Sequence, residues 1–187
     1  MTALDRASAE AARRALERLV RDVPDYPEPG IVFKDITPLL ADHQAFGSVI
    51  EALAAAGRDE AGGVVVDRVV GMEARGFILA APVALALGTG FVPVRKAGKL
   101  PRETHAVSYA LEYAAATLEI HRDAITPGDR VLVVDDVLAT GGTVAATREL
   151  VERCGGQVHA VAVLIELSFL PGREAIGDLP AQALLTV

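Results

Sequence analysis

The chain has 187 residues, 51% of them apolar, which suits one domain with a sizeable core and is not the composition of a disordered chain. Its net charge of −7 argues against nucleic acid or a membrane surface held by bulk charge. The one cysteine, Cys154, excludes an internal disulfide and any cysteine-based zinc site and fits a reducing cytoplasm.

The first segment, "MTALDRASAEAARRALERLVRDV", lacks the apolar centre of a signal peptide. It reads as an amphipathic helix with Leu16, Leu19, Val20 and Val23 on one side. No apolar run is long and uncharged enough to span a bilayer, so a soluble, cytoplasmic protein is expected. The loop "VPDYPEPG" follows, with three prolines and a glycine, and is the one plausible boundary. It joins a small N-terminal part, residues 1–38, to a core of residues 39–187 within a single domain. "IVFKDITPLL" is short, apolar and interrupted by Pro38, and "HQAFGSVIEALAAAGR" has helical spacing. "VVVDRVVGMEARGF" is a β-branched run ending in a polar loop, and "ILAAPVALALG" is a helix of small residues. "TGFVPVRKAGKLP" is a strand that enters a basic loop. "VSYALEYAAATLEIHR" fits two short strands or a helix, and its "TLEIH" portion alternates like a strand. After "VLVVDDVLATGGTVAATREL" come the strand-like "VHAVAVLIEL" and a tail ending in "QALLTV". Cys154 sits near the end of a predicted helix with nothing beside it to activate a thiolate, and reads as a packing residue.

Strands that alternate with helices imply parallel β-α-β units, and near-continuous Val/Leu/Ile strands imply a sheet covered on both faces. The expected class is therefore α/β, with a mainly parallel central sheet flanked by helices.

The chemistry concentrates in "VLVVDDVLATGGT". Val131–Val134 reads as a buried strand, with Asp135 and Asp136 at its carboxyl end, where open α/β sheets bind ligands. The residues Ala139, Thr140, Gly141, Gly142 and Thr143 form a turn into a helix that starts at Thr143. Such a turn aims backbone N–H groups and a helix N-terminus at one point, an anion site suited to phosphate. Two acids beside it would repel a bare phosphate. They make sense if the ligand also carries hydroxyls or a magnesium ion, as a ribose 5-phosphate does. The bland alternative is a strand-to-helix turn with acids capping the helix. There is no G-x-x-x-x-G-K-[ST] and no G-x-G-x-x-G, so neither a Walker loop nor a dinucleotide site is supported.

The chain has only three lysines, and Lys96 and Lys99 share one loop with Arg95. That loop follows "FVPV", and "GMEARGF" places Arg75 after "VDRVV". Four cations at strand ends can neutralise a pyrophosphate leaving group. The alternatives are a solvated basic loop and, for Arg75, a surface salt bridge.

"VLVVDDVLATGGT" resembles the phosphoribosyl-pyrophosphate (PRPP) signature of the type I phosphoribosyltransferases. With "YPEPGIVFKDITPLL", "RKAGKLP", "SYALEYAAATLEI" and "LIELSFLPGRE", the resemblance runs from about Pro24 to Glu174 and points to the adenine phosphoribosyltransferase family. It implies that the turn binds the 5-phosphate and that Asp135 and Asp136 meet the ribose hydroxyls. It implies that Arg75, Arg95, Lys96 and Lys99 bind pyrophosphate. It also implies that a hood carrying Val32, Phe33 and Lys34 reads adenine, Val32 through its backbone. Many members have arginine at the position of Lys34, and lysine makes no planar stack. Phe33 either stacks on the purine or fills the core. Glu112 falls on the family's mobile loop, where it would handle the purine's proton, with Tyr113 beside it. The resemblance also places a non-proline cis peptide between Glu73 and Ala74. His105 and His121 read as surface or loop residues.

The implied reaction converts adenine and PRPP to AMP and diphosphate in purine salvage. Mg²⁺ would be held mainly through PRPP, with no direct protein ligand, and the assembly would be a homodimer. The alternatives are a phosphoribosyltransferase for xanthine, guanine or orotate, and a noncatalytic nucleotide-sensing regulator.

Overall fold

The computed structural model describes residues 3–110 and 115–187. Its spine is a seven-stranded sheet in the order β5-β6-β4-β3-β7-β8-β9. Strands β3 (Arg68–Met72), β4 (Gly90–Lys96), β7 (Arg130–Leu138), β8 (Gln157–Glu166) and β9 (Ala181–Thr186) run parallel to one another. The hairpin β5 (Thr104–Ala110) and β6 (Ala115–His121) joins antiparallel at the β4 edge. The described part of the segment that fitted two strands or a helix lies in this pair of strands; of the two histidines read as surface or loop residues, His105 lies in β5 and His121 in β6.

The helices cover both faces, because the central strands are apolar on both sides. Val131, Leu132, Val133 and Val134 are fully buried, as are Val161 through Ile165 of β8. One core lies between the sheet and α1 (Ala3–Leu19), α3 (His43–Ala54) and α4 (Arg75–Leu87), filled by Leu16, Leu53, Leu79 and Val83. The other lies beneath α5 (Gly142–Arg153) and is filled by Val133, Leu150, Val151 and Ile176. Helix α3 starts where the Asp42 side chain accepts a hydrogen bond from the Ala45 N–H at 3.0 Å. Helix α4 ends at Gly88, whose φ of 66° closes the last turn. Cys154 caps the end of α5 and is buried; burial pushes its thiol pKa up, which keeps it an inert packing group.

The N-terminal helix is shorter than the sequence suggests. It ends at Leu19, and Val23 lies in β1 (Arg21–Pro24), exposed, where prolines stop the helix from continuing. Strand β1 pairs antiparallel with β2 (Val32–Asp35) in a separate two-stranded ribbon ahead of the short α2 (Thr37–Ala41). The run "VVVDRVV" also forms less strand than expected: β3 begins only at Arg68. No described helix is long and apolar enough to cross a membrane.

The topology places a crevice. From β3 the chain passes through α4 to β4 on one side; from β7 it passes through α5 to β8 on the other. The strand order therefore reverses between β3 and β7, the position at which open parallel sheets leave a gap at their carboxyl ends.

Candidate active site

Strand β7 does not stop at Val134. Its ladder with β3 ends there, with Gly71 opposite Val134, but its ladder with β8 continues to Leu138 opposite Glu166. Asp135 and Asp136 therefore stand where β7 has lost its β3 neighbour but keeps β8, and both line the crevice. The turn beyond them is built on Gly141, whose φ of 80° is the left-handed conformation that glycine adopts without strain. Helix α5 begins at Gly142 and Thr143 lines the crevice, so the first-turn N–H groups, which have no partner within the helix, lie beside it.

The two acids differ. Asp135 Oδ1 accepts from the Asp136 N–H at 2.9 Å and abuts Gly76 of α4, where a Cβ would come within 2.8 Å of it. Burial, followed by the neighbouring Asp136 charge, pushes the Asp135 carboxyl well above the ordinary carboxylate range. Asp136 is buried, and its Oδ2 lies 2.6 Å from Nη2 of Arg75, an ion pair whose alignment falls short of a hydrogen bond.

Arg75 is the first residue of α4 and connects three elements. Besides Asp136, it donates from Nη1 to the Lys34 carbonyl at 3.2 Å, and its guanidinium lies 4.6 Å from the centroid of Phe33. Phe33 in turn takes the edge of Tyr26 at 5.2 Å. The guanidinium thus ties the hood ribbon to the floor of the crevice.

On the far rim, Glu73 precedes a cis peptide to Ala74. Its Oε2 accepts from the Lys96 N–H at 3.1 Å and from Nε of Arg95 at 3.3 Å. Burial opposes the charge of Glu73, but those two donors hold its carboxyl below the usual value. Arg95 also donates to the Lys99 carbonyl at 3.1 Å. Lys96 and Lys99 are exposed and form no ion pair among the described residues.

The sequence-predicted residues do not all converge. A cleft of about 360 Å³ is lined by Arg75, Lys96, Asp135, Asp136 and Thr143, together with Glu73, Ala74, Tyr109, Ala116 and Leu118. The side chain of Lys34 is elsewhere. Successive strand residues point to opposite faces, and its Nζ pairs with Asp22 Oδ1 at 2.6 Å across the ribbon. Only its carbonyl is turned to Arg75. Glu112 and Tyr113 lie outside the described residues.

Tyr109 was missed by sequence reasoning. Its hydroxyl is 3.1 Å from Oγ1 of Thr143, and its ring lies over Gly142, where a Cβ would meet Cδ2 at 3.0 Å. The two residues are 34 apart in the chain, so only the strand reading of "VSYA", with Tyr109 facing α5, could have suggested the contact.

Residues 39–173 match the phosphoribosyl transferase domain family. The chain is 72% identical to an adenine phosphoribosyltransferase of Nocardioides sp. over 169 residues, covering 90% of this chain and 91% of that one. The adenine phosphoribosyltransferase of Rhodothermus marinus superposes with a TM-score of 0.88 at 50% identity, covering 95% of this chain and 99% of that one. The Saccharomyces cerevisiae adenine phosphoribosyltransferase was solved with an imino-altritol bisphosphate and adenine. It superposes with a TM-score of 0.89 at 39% identity, covering 94% and 99%.

Proposed function

The chain belongs to the adenine phosphoribosyltransferases of the phosphoribosyl transferase domain family, and on that premise we propose that it joins adenine to the ribose 5-phosphate of PRPP, releasing diphosphate and AMP. The observation that carries this reading is the β7–α5 turn. It places two acids and a helix N-terminus side by side at the sheet's switch point, across a cleft from a cationic rim.

The 5-phosphate sits in Ala139–Thr143, where backbone N–H groups and the Thr140 and Thr143 hydroxyls can donate to it. Asp135 and Asp136 accept the ribose hydroxyls, and the Asp136 carboxylate stabilises positive charge that grows at the anomeric carbon as the pyrophosphate departs. Arg75, Lys96 and Lys99 take the leaving group's charge, and Arg95 works with Glu73 to fix the rim. When PRPP arrives, Arg75 exchanges Asp136 for pyrophosphate oxygens, which frees the acid for the ribose. Adenine enters beneath the hood at Val32 and Phe33 and attacks the anomeric carbon; Glu112 handles its proton. Holding the two reactants in line supplies much of the rate, since the transition state needs little covalent help.

Asp135 and Asp136 beside the turn suit a substrate that carries magnesium. Phosphate and ribose oxygens of the substrate would hold the ion, with Asp135 and Asp136 outside its direct ligands. Bound there, magnesium would neutralise pyrophosphate. A homodimer is part of the same proposal, as the resemblance to the family implies. A cytoplasmic enzyme of purine salvage suits this reaction and its product.

The test is a panel of adenine, hypoxanthine, guanine, xanthine and orotate, each with magnesium and PRPP, read as nucleotide formed. AMP from adenine alone is expected. A 6-oxopurine or orotate product would discard the hood assignment, and PRPP binding without turnover of any base would favour a nucleotide sensor.

A further inference from the structure

Helix α6 (Gly172–Ile176) forms the wall behind the β7–α5 turn. A Cβ on Gly172 would run into the carbonyl oxygen of Ala139. One on Gly141 would stand 2.7 Å from the carbonyl oxygen of Gly172 and 2.8 Å from Cβ of Ala175. Turn and helix therefore touch backbone to backbone. In so close a contact, any displacement of α6 displaces the turn.

Charge holds α6 in place. Glu166 ends β8, with its side chain 10% exposed. Its oxygens accept from Nε and Nη2 of Arg173 at 2.7 and 2.8 Å. Arg173 also donates from Nη1 to the Ala181 carbonyl, the first residue of β9, at 2.6 Å. Hydrogen bonding to Arg173 keeps the Glu166 carboxyl below its ordinary range despite burial. This paired geometry needs the planar guanidinium fork, which lysine lacks. Glu166 is also in register with Leu138, the residue before the turn. The pair thus joins β7, β8, β9 and α6 around Ala139–Gly141. Glu166 is enclosed but the Arg173 side chain is 47% exposed, and a half-exposed ion pair adds little stability, so stability alone does not account for it.

We propose that Glu166 and Arg173 are positioning residues for the 5-phosphate cradle: they fix α6 against Ala139 and Gly141 and thereby set the affinity for the phosphorylated ribose. This rests on the reading of Ala139–Thr143 as that cradle. Neither residue lines the cleft.

The experiment compares wild type, Arg173→Gln, Arg173→Lys and Glu166→Gln. It reads kcat, the KM for PRPP and for adenine, the affinity for ribose 5-phosphate by calorimetry, and the thermal midpoint. Arg173→Gln raises the KM for PRPP and the Kd for ribose 5-phosphate on the order of tenfold. The KM for adenine moves by less than about twofold, because the hydrogen bonds of the pair stay among β8, β9 and α6 and none goes to the ribbon. Arg173→Lys recovers part of the loss. Should Arg173→Gln fail to fold, Glu166→Gln keeps the shape and an acceptor, and gives the same split between the two substrates. Unchanged ribose 5-phosphate affinity, or an equal rise in both KM values, would overturn the proposal even if the midpoint fell. A wild type that binds ribose 5-phosphate yet makes no AMP would refute the proposed reaction and leave the positioning role to be judged by the calorimetry alone.

Discussion

The β7–α5 turn and the β1–β2 ribbon face the same crevice and are built in opposite ways. The turn is enclosed: fully buried valines lead into it, Asp136 is buried, and Gly141 meets the backbone of α6. The ribbon is open: Val23, Tyr26, Ile31 and Val32 are all exposed, and Arg75 ties it to the floor through one carbonyl and one ring face. A phosphate and a ribose demand many donors and acceptors at set distances, which a packed turn supplies. A flat base needs an apolar surface and a few backbone contacts, which a light ribbon supplies while leaving room for entry. Substitutions in the turn should therefore change chemistry and phosphate affinity, and those in the ribbon base affinity alone.

The largest effect tests the turn directly. Replacing both Asp135 and Asp136 with asparagine should lower turnover by about 10³-fold, the scale of losing groups that stabilise transition-state charge. Circular dichroism should show the fold unchanged; near-normal turnover would remove the ribose role. A smaller effect comes from the hairpin side. Tyr109→Phe removes the hydroxyl beside Thr143 and should raise the KM for PRPP about fivefold, the equivalent of roughly 1 kcal/mol for one hydrogen bond. An unchanged KM would make the ring over Gly142 the only contribution.

Asp135 supplies a pH test. Its folded-state pKa is raised, so the folded protein holds a proton that the unfolded chain releases first as pH rises. That contribution to stability is present below the ordinary aspartate range and is lost as pH climbs through the raised value. Asp135→Asn should therefore gain thermal midpoint relative to wild type on going from mildly acidic to neutral pH. A gap between the two melting curves that stays constant would mean that the charge is not buried. The smallest effect belongs to the ribbon. Lys34→Met breaks a partly exposed pair with Asp22 and should cost less than about 1 kcal/mol of stability, with base preference unchanged. A shift in base preference would place the Lys34 side chain at the base after all.

Much of the turn was legible because its chemistry is local: apolar strand, acids, Thr/Gly loop and helix follow one another within one stretch of chain. The alternation of strands and helices likewise pointed to a mainly parallel sheet. What escaped reading depends on which way a side chain turns or on partners far away in sequence. Lys34 sits one place from Phe33 and so points to the other face, toward Asp22. Arg75 and Asp136 meet only because α4 and β7 cross the crevice, and Tyr109 meets Thr143 only because the hairpin folds over α5. Pairing of Glu166 with Arg173 is close in sequence, but its meaning appears only when Gly172 is seen against Ala139.

The division of labour between turn and ribbon is tested most directly by a two-by-two comparison of KM values. Gly141→Ala alters the turn, and Phe33→Ala alters the ribbon. Each protein is measured for PRPP at saturating adenine and for adenine at saturating PRPP. The account predicts that Gly141→Ala raises the KM for PRPP on the order of tenfold while that for adenine stays near wild type, because a side chain there strains the backbone and displaces α6. Phe33→Ala should do the reverse. If either substitution raises both values together, the two regions do not act separately and the account is contradicted.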